Sequence, residues 1–336
     1  MPDLNLIAAE GNGHLPLSAI KPKGGKLETL ARDANRRHGM GGFFAARDAS
    51  DVYSAAEHIT SPVAGPLLEH AGLLVDDELS ADITRPVSVL DMACGTGVLT
   101  ATLHDAMGRS GQQDADMVKI TCCDISEPQV SWVRRRIKQM GWRNTEAIVA
   151  DAIKCSLPSN NFDHVIIAMA LMLIPDPRST IKECMRMLKP GGKFSFSTWK
   201  IEGWVPDTRD AIAAANLPGN PCWPQDSDEL VAAWAMGPWH REGFVERTLE
   251  AAGFEDVRVE VVTRHIVIEN ADHFCHIWRA FVAVVTQAYW TERQREQCLP
   301  LVEPAFRRFL NAKYGEGMPF TVERTAIMAS GRKPMN

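Results

Sequence analysis

The stretch VSVLDMACGTGVLT, residues 87–100, decides the reading of the fold. Val87 to Leu90 is an apolar run, which suits a strand buried on both faces. Asp91 ends it. Gly95 and Gly97 then supply a turn in which the backbone can approach a ligand closely. Val98 opens a helix whose N-terminal N–H groups favour negative charge. Strand, glycine turn and helix in this order form a nucleotide-binding unit.

The pattern repeats outward from that unit. Residues 117–123 (MVKITCC) read as a second strand ending at Asp124, and Ser126 with Gln129 predicts a capped helix. Residues 147–150 give a short third strand before Asp151. Phe162 to Met169 gives a fourth. Ile181, Cys184, Met185 and Leu188 fall on one helix face. Lys189-Pro-Gly-Gly192 is read as the end of that helix, with a fifth strand from Lys193 to Thr198. Alternating apolar strands and helices predict an α/β Rossmann-like, mostly parallel sheet covered on both faces. Upstream, Ser50 predicts a helix through Tyr53 and Ile59, and Ser61-Pro62 starts another.

Regularity breaks after Trp199. The expected organisation is an N-terminal extension over 1–49, a nucleotide-binding core over 50–200, and a lid insertion over 201–240. A C-terminal completion over 241–336 carries a helical insertion at 270–318. Trp199, Trp204, Trp223, Trp234, Trp239 and Trp278 concentrate in and beside the insertions. Aromatic density over a nucleotide site predicts an apolar or planar small-molecule acceptor. Trp199, Trp204, Trp239 and Trp278 are its candidate contacts.

Composition narrows the classes. The net charge of −6 provides no basic field for a nucleic-acid backbone. No apolar run reaches membrane-spanning length, and the first residues lack a secretory pattern. Cys122 and Cys123 are adjacent, and no CxxC pair occurs. Reduced thiols in a cytoplasmic protein without a metal site are therefore expected.

Two cofactors compete for the glycine turn. A dinucleotide site calls for a third glycine and an acid about 20 residues on. The third glycine is absent here, and Asp124 lies 27 residues past Gly97. D-M-A-C-G-T-G instead resembles the first motif of class I S-adenosylmethionine (SAM)-dependent methyltransferases. The span IPDPRSTIKECMRMLKPGGKF and the upstream VYSAAEHITSPVAGPLL resemble the small-molecule methyltransferases of ubiquinone and menaquinone biosynthesis.

That resemblance implies a seven-stranded sheet whose last strand is antiparallel. It also implies SAM as cofactor and S-adenosylhomocysteine as product. The backbone of Ala93, Cys94, Gly95 and Gly97 would face the amino-acid end of SAM, above Asp91. Asp124 would take the ribose hydroxyls and Ile125 would pack on adenine. Asp151 and Ala152 would bond the adenine edge, Met169 the ammonium. Tyr53 would lie near the carboxylate or the transferring methyl. His58 and His240 are the candidate bases. The implied reaction is methyl transfer to an apolar or aromatic small molecule of secondary or quinone-type metabolism. The competing functions are a cyclase or pericyclase built on the same fold, a non-catalytic regulator, and a dehydrogenase.

Overall fold

The computed structural model describes residue 57 and residues 60–110 and 116–335. The helix expected from Ser50, together with Tyr53 and His58, lies outside the described residues. Pro62 sits in a short 3-10 turn, Ser61–Val63, which leads into helix α1, Ala64–Ala71. A small hairpin follows, β1 (Leu74–Val75) and β2 (Glu78–Leu79). The core then alternates: β3 (Val87–Met92), α2 (Val98–Ser110), β4 (Val118–Asp124), α3 (Glu127–Met140), β5 (Thr145–Val149), β6 (Phe162–Ile167) and α4 (Pro177–Met187). β7 (Leu188–Glu202) is followed by α5 (Val205–Ala214), α6 (Ser227–Trp234) and α7 (Glu242–Ala251). β8 (Glu255–Ile268), α8 (Ala271–Tyr289), α9 (Glu292–Tyr314) and β9 (Phe320–Arg332) complete the chain.

Seven strands form one sheet in the order β5-β4-β3-β6-β7-β9-β8. β3 pairs in parallel with β4, from Val87 opposite Val118 to Met92 opposite Cys123. β9 runs antiparallel to both β7 and β8, so the other six strands share one direction. Their carboxyl ends therefore gather along one edge, where ligands of open α/β sheets bind. Both departures from alternation leave from that edge: α5 and α6 after β7, α8 and α9 after β8. These helices pack on one another, α9 on α8 and α5, and α6 on α8. No described helix is long and apolar enough to cross a membrane.

Two local expectations are corrected. Lys189-Pro-Gly-Gly192 does not end the helix. α4 stops at Met187, and the four residues bulge within β7, with Phe162 opposite Leu188 and His164 opposite Lys193. Gly191 takes a left-handed φ of 74° to allow it. Nor does Ser126 build a capping box with Gln129. Its side chain makes no cap bond, and Ser126 Oγ and Gln129 Oε1 have no partner among the described residues. Asp124 does the capping, accepting the Ser126 N–H at 2.9 Å.

Two histidines make the core acid-sensitive. His104 stacks on Trp142 at 4.6 Å and bonds Thr145 Oγ1 at 2.8 Å. His164 is enclosed on β6, its Nδ1 without a partner among the described residues. Burial pushes both down to about 4 from 6.5. The folded state therefore binds fewer protons than the unfolded one between those values. The resulting stability is complete above pH 6.5 and is lost as the pH falls toward about 4. Thermal melts followed by circular dichroism should show Tm falling across that window. His164→Asn should make the fall shallower, whereas an equal fall in both proteins would contradict the assignment.

Candidate functional site

The carboxyl ends of β3, β4, β5 and β6 bring Asp91, Asp124, Asp151 and Met169 to one edge of the sheet. The turn after β3 is the centre of the arrangement. Ala93, Gly95 and Gly97 all take left-handed φ values, 54°, 54° and 81°. A Cβ on Gly97 would also lie 3.3 Å from Val133 Cγ2 on α3. Glycine is therefore required there by conformation and by close packing. Ala93 holds a conformation that costs a non-glycine residue about 1–2 kcal/mol. Such strain collects where a backbone must present itself to a ligand. Cys94 N–H donates to the Cys123 carbonyl at 3.0 Å, fastening the turn to β4.

Asp124 fastens it a second time. Its Oδ2 accepts the Gly95 N–H at 3.0 Å while Oδ1 accepts Ser126 N–H. Burial pushes its carboxyl up, and these backbone donors oppose the shift. A carboxylate has about four acceptor positions, so two oxygens that each hold one N–H still have room for a diol. Beside it Ile125 is 64% exposed, an apolar side chain placed against open space at a strand end. Asp151 is exposed and accepts Ile153 N–H at 2.8 Å through Oδ1; Ala152 next to it is half-buried. Met169 has a φ of 55° and donates its N–H to Ser197 Oγ at 3.1 Å.

Asp91 is buried at 1% exposure beneath the turn. Thr100 donates to its Oδ2 at 2.7 Å, and Oδ1 has no partner among the described residues. Burial raises its carboxyl to about 7, with the charge of Asp124 adding to the shift. An orphaned buried oxygen under a strained turn fits a ligand that carries hydrogen-bond donors or positive charge. The amino-acid end of SAM would be such a group, and the Asp124 carboxylate and exposed Ile125 offer hydrogen-bond acceptors and apolar surface beside it. Contact with Cys122 pushes the neighbouring Cys94 thiol up and contact with Cys155 pushes that of Cys123 up, with burial adding to each, which disfavours their thiolates.

Several participants escape sequence reasoning. Arg136 on α3 donates from Nη1 to the Thr96 carbonyl at 3.2 Å and to Glu57 Oε1 at 3.1 Å, tying Glu57 to the glycine turn. Nothing in an amphipathic helix marks that arginine. Ser197 could have been found as the second of two hydroxyls alternating with the phenylalanines of KFSFS, residues 193–197.

The four candidate tryptophans do not meet in one place. Trp204 and Trp278 share the core of the inserted helices, 6.3 Å apart, with Trp278 4.2 Å from Phe306. Trp199 lies at the end of β7 beneath the Arg324 guanidinium, 3.9 Å away. Trp239 packs edge-on against Phe196 and Phe244. All are at most 6% exposed. His240 bonds Asp228 through Nε2, and Asp228 also accepts from Arg241 at 2.7 Å. Burial lowers the His240 pKa below 6.5 against the pull of Asp228.

Asp91 sets a pH signature for the cofactor-free protein. Between pH 3.8 and about 7 the unfolded chain has released a proton that the folded chain keeps. Stability therefore falls as pH rises through that window and stays lower above it. Asp91→Asn cannot ionise and keeps an acceptor for Thr100. Its Tm should exceed that of the wild type at pH 8, with the gain vanishing near pH 4; a gain independent of pH would contradict the buried neutral acid.

Comparison with known proteins agrees with this geometry. The family profile described as "Methyltransferase domain" matches residues 89–192. Methyltransferase tpcH of Aspergillus fumigatus is 31% identical, with 85% of this chain and 96% of that protein covered. Acetylaranotin bis-thiomethyltransferase of Aspergillus terreus is 29% identical, covering 87% and 96%. Demethylmenaquinone methyltransferase of Listeria welshimeri is 30% identical over 36% of this chain and 50% of its own length. The solved phosphoethanolamine N-methyltransferase 2 of Haemonchus contortus shares the fold, with a TM-score of 0.50, 15% identity, and coverage of 90% of this chain and 60% of that one. Motif, sheet order and a full-length relative coincide: the chain belongs to the SAM-dependent methyltransferases.

Proposed function

We propose that the protein methylates an apolar or aromatic small molecule of secondary metabolism, and that Asp124 is the residue that fixes the donor in place. The carrying observation is the Asp124 carboxylate, set at the mouth of the sheet by the Gly95 and Ser126 N–H groups with Ile125 exposed beside it. In this reading Asp124 accepts the ribose hydroxyls and Ile125 covers one face of adenine. Asp151 and the Ala152 N–H bond the adenine edge. The backbone from Ala93 to Gly97, with Asp91 below, and the Met169 carbonyl receive the amino-acid end.

Bound SAM supplies a methyl on a cationic sulfur, already activated toward in-line displacement. The chain's own task is to position the acceptor and exclude water. The inserted helices leave from the carboxyl edge with an aromatic core of Trp204, Trp278 and Phe306, which supports an apolar cover over the acceptor. Fungal relatives matched over nearly their full length support secondary metabolism, and the name of the A. terreus protein points to sulfur as one acceptor atom.

Removing two hydrogen bonds to a charged group costs about 3 kcal/mol or more, which is about 100-fold in affinity. Calorimetry should find SAM bound by Asp124→Ala about 100-fold more weakly than by the wild type, with Asp124→Asn between the two. Undiminished affinity in Asp124→Ala would remove the donor from this position.

A further inference from the structure

The His240–Asp228 pair, which the donor site described above does not use, stands at the same edge of the sheet. His240 lies two residues before α7, and α7 runs back to the start of β8. The helix therefore begins where β6 and β7 finish. Two contacts fix the segment there. Met236 N–H donates to the Met172 carbonyl at 2.8 Å, and Met172 lies three residues past Met169. The Trp239 ring stands edge-on to Phe196 of β7 at 5.8 Å.

The imidazole is held asymmetrically. Nε2 meets Asp228 Oδ1, while Arg241 donates to the other oxygen at 2.7 Å. Those two partners hold the Asp228 carboxyl below its ordinary range, against the burial that opposes them. An ionised carboxylate at Nε2 fixes the proton of the neutral ring on Nε2. Nδ1 is then left as a bare acceptor. The His240 side chain is only 9% exposed, and Nδ1 has no hydrogen-bond partner among the described residues. A buried imidazole acceptor without a partner, held near the carboxyl ends of β6 and β7, suits a donor supplied by a substrate.

We propose that His240 is the general base of the reaction, oriented by Asp228, and that the acceptor therefore carries a weakly acidic O–H or S–H. This rests on the methyl-transfer reading above. The acceptor's O–H or S–H bond breaks and its proton bonds to Nδ1. The electron pair stays on the acceptor atom, which uses it to bond the methyl carbon. The methyl–sulfur bond breaks with its pair remaining on sulfur, which becomes neutral. The imidazolium is stabilised by Asp228 and returns its proton to water. Burial keeps the ring neutral at pH 7, with Asp228 and Asp226 raising its pKa and Arg241 lowering it.

The test uses 4-nitrophenol and 4-nitrothiophenol as probes of the full-length protein, with His240→Gln and Asp228→Asn as variants. Asp228 is half-exposed on the surface, so the second variant guards against misfolding of the first. With S-adenosylhomocysteine bound, wild-type protein should shift 4-nitrophenol toward its yellow anion, and both variants should lose the shift. With SAM, His240→Gln should slow methylation of 4-nitrophenol by about 100-fold, while slowing 4-nitrothiophenol less at a pH where that thiol is already ionised. Calorimetric affinity for S-adenosylhomocysteine should not change. Equal rates and equal spectra in wild type and variants would overturn the base assignment while leaving methyl transfer intact. A wild type that binds S-adenosylhomocysteine but neither shifts nor methylates either probe would overturn the acceptor class. A wild type that fails to bind S-adenosylhomocysteine would overturn the methyl-transfer reading itself.

Discussion

One carboxylate joins the two halves of the nucleotide edge. Asp124 accepts N–H groups from the turn after β3 and from the start of the helix after β4. Each bond alone is ordinary in strength. Together they fix where two strand ends stand relative to each other, and the glycine turn cannot open without releasing its Gly95 bond to a carboxylate that Ser126 holds in place. The bond from Cys94 to the Cys123 carbonyl repeats the constraint from the opposite side of the turn.

That constraint lets the site hold unfavourable elements. Ala93 and Met169 keep left-handed backbone without being glycine, and Asp91 keeps an unpartnered oxygen in the core. Strained backbone and orphaned polar atoms persist only where the surroundings over-determine them. Ala93, Asp91 and Met169 stand at the same edge as the exposed Ile125. Other polar atoms without a partner among the described residues lie within the sheet, including His164 Nδ1, Ser195 Oγ and Ser330 Oγ. At the amino end of the sheet Asp163 accepts from Ser88, Arg85 and Lys189.

The core was legible because it is periodic. Buried parallel strands must be apolar and must end where the chain turns, so Asp91, Asp124 and Asp151 mark their own positions. What the sequence hid depends on pairing across space. Ser126 followed by Gln129 looks like a cap, but the acid two residues earlier occupies the N–H first. The Lys-Pro-Gly-Gly stretch looks like a helix stop, but the sheet absorbs it as a bulge beside His164. Tryptophan density showed where the chain adds helices. It could not show that Trp239 packs on Phe196 while Trp204 and Trp278 pack on each other. The Asp228–His240 pair was equally hidden, since its members belong to different elements and meet only once the inserted segment folds back over β7.

The most direct test of the central claim is amide hydrogen exchange with and without S-adenosylhomocysteine. If the carboxyl edge bound together by Asp124 is the cofactor cradle, added protection should concentrate at residues 93–97, 124–126 and 151–153, with the amino-end residues around Asp163 unchanged. Protection spread evenly over the sheet, or absent from the Gly95 and Ser126 amides, would contradict the account.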